Sequence, residues 1–175
     1  MRTSHVHSKS FLENGGRFDA SFHLSDGLVV KLTVCNSPYP ITTIGEVSSR
    51  VFYGNRAKRV YVSNPKNGIP FLTGSDIMQA DLSSVKLASQ KYTPFIDQLR
   101  LEKNWILISR SGTIGNTTWT NEGHCGKLGS EDVIRVIPNN VLKGGIIYAY
   151  LSSKYGYALL TQGTFGAVIQ HIVIS

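Results

Sequence analysis

The sequence predicts a single α+β domain with a twisted, mostly β core and a few packed helices. Its 175 residues are the usual size of one domain and can enclose a hydrophobic core without metals or disulfides. Apolar residues make up 41% of the chain and charged residues 17%, which is typical of a folded globular protein. Short apolar runs alternate with segments whose apolar residues recur at helical spacing, so strands and helices are expected in one fold.

The N-terminal part of the chain is polar and contains glycine, so we predict a flexible lead over residues 1–16 and the folded domain over residues 17–175. An extended stretch is expected around residues 17–24. The run Leu28–Val34, LVVKLTV, is short and β-branched and lies between turn-forming residues. That pattern predicts a strand.

Proline, glycine and asparagine divide the middle of the chain into short elements. The elements expected there are a short helix from a Thr42 or Thr43 cap through Glu46, strands at Tyr61–Ser63 and Ile69–Thr73, a helical turn at Ile77–Ala80 after Ser75-Asp76, and a short helix from Thr93-Pro94 to about Glu102. Thr43 and Glu46 stand at capping-box spacing.

The second half of the chain gives the clearest patterns. Trp105–Ile108 is a continuous apolar run, which predicts a strand buried on both faces that leads into the polar loop Ser109-Arg110-Ser111. Val133–Ile137, closed by Pro138, predicts a second strong strand. From Gly144 to Leu160 the apolar residues recur at helical spacing, which predicts one helix packed on the sheet.

The tail, residues 163–175, returns to β character. The tetrapeptide GTIG at residues 112–115 is echoed by GTFG at residues 163–166. Both are expected to form tight turns, because glycine adopts backbone conformations that other residues avoid.

The chain carries a formal net charge of +7, which favours polyanions such as nucleic acid or an anionic membrane surface. Between Glu46 and Asp76 there is no acidic residue, and every formal charge after Asp132 is positive. The cations of these two segments are Arg50, Arg56, Lys58, Arg59, Lys66, Arg135, Lys143 and Lys154. An ordinary solvated basic face is the alternative explanation.

Two widely spaced cysteines, Cys35 and Cys125, indicate neither a zinc site nor a disulfide framework. The N-terminus has no apolar signal region, and the chain has no apolar run long enough to span a membrane. The cytoplasm is therefore the expected location, with no membrane partner and no metal or cofactor.

Candidate catalytic motifs are weak. Asn36-Ser37-Pro38-Tyr39 resembles the Asn-Pro-Pro-Tyr signature of amino-group methyltransferases, but serine replaces the first proline and no glycine-rich loop for S-adenosylmethionine precedes it. The stretch Gly123–Lys127 lacks the first glycine of a phosphate loop. Carboxylates are scattered, which disfavours a metal-dependent nuclease. No enzymatic activity is expected.

Two segments suit DNA instead. Arg50–Tyr61, RVFYGNRAKRVY, interleaves cations with aromatic residues that can meet phosphates, sugars or bases. The loop at Ser109–Asn116 offers hydroxyls, turn amides and Arg110, whose guanidinium can pair with guanine if it reaches the major groove. In the alternative explanation, the aromatics belong to the core and Arg110 pairs with an acid. The candidate DNA-contacting residues are Arg50, Arg56, Lys58, Arg59, Tyr61, Ser109, Arg110, Ser111, Thr113, Asn116, Lys127 and Thr164.

The order of these segments resembles the target-recognition domain of type I restriction-modification specificity subunits. The resemblance covers nearly the whole chain, and the most specific part is the apolar strand with its loop. The matching segments are RFDASF at 17–22, GNRAKRVYV at 54–62, GIPFLTGSDI at 68–77, WILISRSGTIG at 105–115, SEDVIRVIPN at 130–139, YAYLSS at 148–153 and GTFGAVIQHI at 163–172.

The resemblance implies a non-catalytic domain that reads one half of a split double-stranded DNA sequence. Its implied partners are DNA methyltransferase (modification) subunits, which methylate adenine with S-adenosylmethionine, and a restriction subunit that cleaves DNA with ATP. A homodimer is a further expectation.

Two features depart from the family pattern. Lys103-Asn104 stands where the family often has Gly-Asp, and one recognition domain is present where a complete subunit has two, separated by long helices. A half subunit, a truncated gene product or an excised domain is therefore expected. Alternatives are a specificity-like domain of a fused restriction-methylation enzyme, a docking protein without DNA binding, and, more weakly, a small DNA methyltransferase or nuclease.

Overall fold

A computed structural model gives the fold and describes residues 5, 6, 8–13, 16–18, 20–56, 58–162, 164, 172 and 174. Its α-helices are α1 (Ser8–Glu13), α2 (Ala20–His23), α3 (Asp26–Cys35), α4 (Ile96–Leu99), α5 (Val141–Leu151) and α6 (Lys154–Gln162). Its strands are β1 (Ser48–Tyr53), β2 (Tyr61–Val62), β3 (Gly68–Leu72), β4 (Leu87–Ser89), β5 (Ile106–Ser109), β6 (Thr117–Trp119), β7 (Leu128–Gly129) and β8 (Val133–Pro138). Short 3-10 turns lie at Pro65–Asn67, Asp76–Met78 and Glu122–His124.

The strands form two four-stranded sheets. The first has the order β1-β8-β5-β6 and is antiparallel throughout. The second has the order β2-β4-β3-β7, in which β3 and β7 are parallel and the other pairs antiparallel. Because strands and helices share one core, the predicted α+β class is confirmed. The predicted strands Tyr61–Ser63, Ile69–Thr73 and Val133–Ile137 correspond to β2, β3 and β8.

Strand β5 lies at the centre of the core. Ile106 and Ile108 pack with β8 and with Ile147 and Leu151 of α5. Leu107 points to the other side, where it packs in a second cluster with Leu72 of β3, Val133 of β8 and the loop residues Ile77 and Leu101. All four residues of β5 are buried, which confirms the prediction of a strand covered on both faces.

The predicted strand Leu28–Val34 is wrong, because this segment is the middle of helix α3. The β-branched residues favour a strand only weakly, and tertiary packing overrides that preference. Gly27 of α3 fits against α6 so closely that a Cβ there would lie 2.7 Å from the Ala158 carbonyl oxygen. The extended stretch expected around residues 17–24 is also wrong, since it contains helix α2.

The single helix predicted over Gly144–Leu160 is two helices, α5 and α6. The hydroxyls of Ser152 and Ser153 donate to the carbonyls of Tyr148 and Tyr150, each at 2.6 Å, and the chain turns there. Apolar spacing continues across the turn because both helices pack inward, so periodicity alone missed the break.

The helix start predicted at Thr42 or Thr43 is present as a single turn. Thr43 N donates to Glu46 Oε2 at 2.7 Å and Glu46 N donates to Thr43 Oγ1 at 3.3 Å, so the reciprocal bonds form around a turn that does not continue as a helix. The Thr43 amide, with the hydroxyls of Thr42 and Thr43, holds the pKa of Glu46 below its usual value.

Helix α4 begins at Ile96 and ends at Leu99, not near Glu102. It stops because the chain pairs with its neighbours instead: Arg100 bridges to Leu128, and Leu101 N donates to the Lys127 carbonyl at 2.8 Å. The helical turn expected at Ile77–Ala80 is the 3-10 turn Asp76–Met78.

The tail cannot be compared with its predicted β character, because most of residues 163–175 lies outside the described residues. Residues 163, 165 and 166 of the GTFG motif do so as well. In GTIG, Gly112 has φ +72° and Gly115 has φ +83°. Both values lie in the left-handed region, which confirms the predicted glycine turns.

Candidate nucleic-acid interface

Several loops meet at one end of the first sheet. Ser109 at the end of β5 pairs with Val133 at the start of β8, and Tyr53 at the end of β1 pairs with Ile134. The loops that follow β1 and β5 and precede β8 therefore emerge side by side. We call residues 54–56, 58–60, 73–76, 110–116 and 130–132 the recognition loops.

Direct contacts join these loops. The Arg59 guanidinium forms an ion pair with Glu131 at 2.5 Å, and Arg110 N donates to the Asp132 carbonyl at 2.8 Å. The Thr113 hydroxyl donates to the Gly74 carbonyl at 3.2 Å. The loops thus form one connected surface.

Ser109 shapes the loop at 110–116 from inside. Its side chain is fully buried, and its Oγ bonds to the Ser111 carbonyl at 3.2 Å and to the Thr113 hydroxyl at 3.1 Å. A fully buried hydroxyl cannot touch DNA, so Ser109 is corrected from a DNA-contacting residue to one that holds the loop. The half-exposed Ser111 and Asn116 and the exposed Thr113 remain accessible.

Arg110 is held from two sides. Its guanidinium carbon lies 4.3 Å from the centre of the Tyr53 ring, and its Nε donates to the Ile172 carbonyl at 3.0 Å. The backbone of Ile172 also donates to the Arg110 carbonyl at 3.1 Å. These contacts fix the guanidinium plane, while its two terminal nitrogens have no hydrogen bond within the described part of the chain.

The other cations of the first segment differ in their surroundings. Arg59 is half-buried, with Glu131 and Asp132 beside it and the Phe71 ring 5.2 Å away. Arg56 and Lys58 are exposed and have no acidic partner among the described residues. Among the described residues of this loop, only these two carry a charge that no described acid neutralises.

Tyr61 stands beside the same loop, on the edge strand β2. Its ring packs edge-on against Phe71 with centroids 6.2 Å apart, and the ammonium group of Lys86 lies 5.4 Å from its centre. Lys86 was not among the predicted residues. It reaches Tyr61 through the pairing of β2 with β4, a contact that no local sequence pattern signals.

Three predicted residues lie outside the recognition loops. Arg50 is exposed on β1 with its guanidinium 4.1 Å from the Phe52 ring. Lys127 packs beside His124 and Leu101, near the start of β5. Thr164 follows α6, where its hydroxyl donates to the Thr161 carbonyl and its own carbonyl accepts from Arg17.

Arg135 is one of the positive charges that follow Asp132, but its side chain is fully buried between the two sheets. Its guanidinium donates to the carbonyls of Gly129 at 2.6 Å, Val133 at 2.8 Å and Ser130 at 3.3 Å. Burial lowers the pKa of Arg135 to about 10. Arg135 thereby holds the turn that carries Glu131 and Asp132 to the recognition loops.

The fold does not strengthen the candidate phosphate loop or a metal site among the described residues. The amides of Gly123, Cys125, Gly126 and Lys127 all donate to acceptors within the protein, so none is free to cradle a phosphate. Within the described residues, no group of three or more His, Cys, Asp or Glu side chains is placed to hold a metal ion. None of the helices described is both long and apolar enough to cross a bilayer.

Comparison with known proteins gives a family and a fold. The family described as type I restriction modification DNA specificity domain matches residues 38–174. No curated protein matches the chain.

Two solved structures are similar. The S subunit of a type I restriction-modification system from M. genitalium has a TM-score of 0.50 and 16% identity, over 76% of this chain and 30% of that one. The HsdS subunit from Thermoanaerobacter tengcongensis has a TM-score of 0.51 and 15% identity, over 83% of this chain and 38% of that one. The chain thus spans about a third of the length of these two subunits.

Proposed function

The chain belongs to the family of type I restriction-modification DNA specificity domains, and we propose that it binds double-stranded DNA and reads one half-site of a target sequence through the recognition loops. The observation that carries this proposal is a pair of exposed cations, Arg56 and Lys58, that have no acidic partner among the described residues. Their loop is joined through the turn at 130–132 to the loop that presents Arg110. Cations without internal partners are available to neutralise phosphates, and that contribution dominates DNA affinity.

The two loops suit different tasks. Arg56 and Lys58 have long, exposed side chains that can bind DNA phosphates. Contacts with phosphates carry no sequence information. Arg110 is fixed by Tyr53 and Ile172, and its terminal nitrogens have no hydrogen bond to the described residues, which suits a bidentate contact with guanine. The Thr113 hydroxyl and the exposed backbone at Gly112 complete this part of the surface.

Arg59 and Ser109 support these groups instead of touching DNA. Arg59 is neutralised by Glu131, and its ion pair ties the loop after β1 to the turn before β8. Ser109 stabilises the loop after β5 through its hydrogen bonds to Ser111 and Thr113.

Thr164 lies near the loop after β5, because its hydroxyl donates to the carbonyl of Thr161, whose Cγ2 is 3.4 Å from where a Cβ on Gly115 would be. Arg50 borders the surface from β1, and Lys127 lies outside the loops.

The chain acts in this proposal as the specificity component, without catalysis of its own, in the cytoplasm. DNA methyltransferase subunits supply the methylation, and a restriction subunit supplies cleavage. Pairing of two copies would present two sets of recognition loops, one for each half-site, as in closed twofold assemblies. Analytical ultracentrifugation of the chain alone and with modification subunits tests both associations.

Selection from randomised duplexes tests DNA reading directly. We expect enrichment of a short motif and a steep loss of affinity with salt, because bound counterions are released. Arg110→Ala should relax one position of the motif, whereas Lys58→Ala should weaken all sequences alike. Recovery of no motif at low salt would overturn the proposed function.

A further inference from the structure

Three lysines from separate parts of the sequence lie along one edge of the second sheet. Lys86 precedes β4, Lys91 follows it, and Lys66 lies in the 3-10 turn between β2 and β3. All three residues are exposed, and none has an acidic partner among the described residues. We call these three lysines the basic edge.

Strand pairing brings the three lysines together, because β4 pairs with β2 on one side and with β3 on the other. At one end of β4, Gln90 N donates to the Asn67 carbonyl at 3.0 Å. Lys91 follows Gln90 and Lys66 precedes Asn67, so the two lysines flank this hydrogen bond. Lys86 lies at the other end of β4.

The basic edge adjoins the recognition loops. Ser89 N donates to the Val60 carbonyl at 2.8 Å, which holds the turn after β4 beside the loop that carries Lys58. Lys58 also lines one small cleft with Thr93, which follows that turn. From Lys58 the chain enters β2 after three residues, which span at most about 11 Å. This length corresponds to about three base pairs along a duplex, so DNA on the recognition loops extends over the basic edge.

The segments that build the basic edge contain no acidic residue. Neither residues 47–75 nor residues 82–96 include Asp or Glu. By contrast, the exposed Lys103 is neutralised by Glu122 at 3.1 Å. The charges of the basic edge therefore add to that of Lys58, and a surface of one sign attracts a polyanion.

Two of the three lysines lie over tyrosine rings. The Lys86 ammonium group is 5.4 Å from the centre of the Tyr61 ring, and the Lys91 ammonium group is 5.3 Å from the centre of the Tyr92 ring. An aromatic ring attracts a cation but, unlike a carboxylate, leaves its net charge in place. The rings restrict these flexible side chains, so less side-chain entropy is lost when a phosphate binds.

We propose that the basic edge binds the phosphate backbone of the DNA that flanks the half-site. This inference rests on the proposed function, because that function places the duplex on the recognition loops. Ammonium groups spaced along a sheet edge suit phosphates, which repeat along each strand and carry no sequence information. These contacts lengthen the bound DNA and raise its affinity without changing the motif.

The test compares two duplexes, one limited to the selected motif and one that adds about ten base pairs, one helical turn, on each side. The variant combines Lys66→Ala, Lys86→Ala and Lys91→Ala. On the long duplex its slope of log affinity against log salt should be smaller by about 2.7, or about 0.9 for each lost phosphate contact. On the short duplex the variant and the unaltered chain should agree, and both should select the same motif.

Lys143→Ala is the matched control for loss of one positive charge. Lys143 is exposed and has no acidic partner among the described residues. It lies in α5, which follows the end of β8 opposite to the recognition loops. The control should keep its slope on both duplexes.

A second variant separates charge from folding. Arginine in place of all three lysines, Lys66→Arg, Lys86→Arg and Lys91→Arg, keeps the positive charges and should therefore keep the slope on the long duplex. Thermal melting of both triple variants checks that each is folded.

Neutral methylphosphonates test the phosphate contacts themselves. Placed in the DNA on one side of the motif, they should weaken binding of the unaltered chain, because they remove the charge that a lysine meets. The triple-alanine variant should not respond to them, since its contacts with that DNA are already lost.

Equal salt slopes for the triple-alanine variant and the unaltered chain on the long duplex overturn the inference and leave the proposed function standing. An equal loss of slope on both duplexes also overturns it, because the lysines would then contact the half-site. So does a loss of slope in the arginine variant, since charge would not be the cause. Absence of any motif for the unaltered chain overturns both the inference and the proposed function.

Discussion

Positively charged side chains lie both inside the protein and on its surface, and their surroundings give them different roles. Arg135 is fully buried, and its guanidinium donates hydrogen bonds to three backbone carbonyls. Arg56 and Lys58 are exposed and have no acidic partner in the described chain. Arg135 orders the protein, while Arg56 and Lys58 are available to a ligand. Net charge does not distinguish the two, since each adds the same +1.

Arg59 lies between these extremes. It is close to Lys58 in sequence, yet its side chain is 30% exposed and paired with Glu131, which is 13% exposed. Adjacent positions of one loop thus differ: Arg59 fastens the loop, while Lys58 has no acidic partner among the described residues. This division depends on β8 returning beside β1, which brings Glu131 to the loop.

The largest expected effect is the loss of stability in Arg135→Ala. The substitution leaves buried carbonyls of residues 129, 130 and 133 without their donor and opens a cavity, so the free energy of unfolding should fall by about 3–5 kcal/mol. Chemical denaturation measures it. Arg56→Ala is the control, with an expected change within about 0.5 kcal/mol. Equal stability of the two variants would erase the distinction between interior and surface cations.

A second test compares interior and surface without charge. A Cβ on Gly156 of α6 would lie 2.2 Å from the Tyr150 carbonyl oxygen, whereas one on Gly145 of α5 meets nothing within 4 Å. Gly156→Ala should lower the free energy of unfolding by about 1–3 kcal/mol through overpacking. Gly145→Ala should raise it by about 0.5–1 kcal/mol, because alanine favours helix. Similar melting temperatures for both would contradict the tight contact between α5 and α6.

Arg59→Ala and Lys58→Ala sharpen the comparison within one loop. Arg59→Ala should cost about 1–2 kcal/mol of stability, because it breaks a partly buried charged hydrogen bond. Lys58→Ala should leave stability unchanged and reduce the slope of log affinity against log salt by about 0.9. Denaturation and DNA titration over a salt series measure the two effects. A loss of salt dependence in Arg59→Ala equal to that in Lys58→Ala would place Arg59 on DNA.

The smallest expected effect concerns pH. Burial, and then the charge of Lys127, lower the pKa of His124 below its usual value of 6.5. Below pH 6.5 the unfolded chain therefore takes up this proton before the folded one does. The contribution of His124 to stability is complete above that pH and is lost as pH falls toward its folded pKa.

In His124→Gln this part of the pH dependence should disappear. Denaturation of the variant and of the unaltered chain between pH 5 and 8 measures it, and parallel curves would contradict the burial of a neutral imidazole.

The sequence predicted part of the candidate site. Glycine at positions 112 and 115 and the apolar run before Ser109 predicted the loop at the end of β5, because these signals are local. The partners of Arg59 and Arg110 could not be predicted, since Glu131, Tyr53 and Ile172 reach them only through the folded chain. Whether the predicted residues touch DNA stays a prediction.

The sequence by itself determined the α+β class, the buried strand β5, the strands β2, β3 and β8, and the glycine turn at residues 112–115. Each follows from the periodicity or backbone freedom of a short segment. Tertiary structure alone decided that Leu28–Val34 is helical and that α5 and α6 are separate. It also placed Arg135 inside the protein, although the run of positive charges after Asp132 suggested a basic surface. Weak local preferences yield where packing and hydrogen bonding contribute more free energy than propensity does. A charged residue's role is likewise set by the groups that the fold brings beside it.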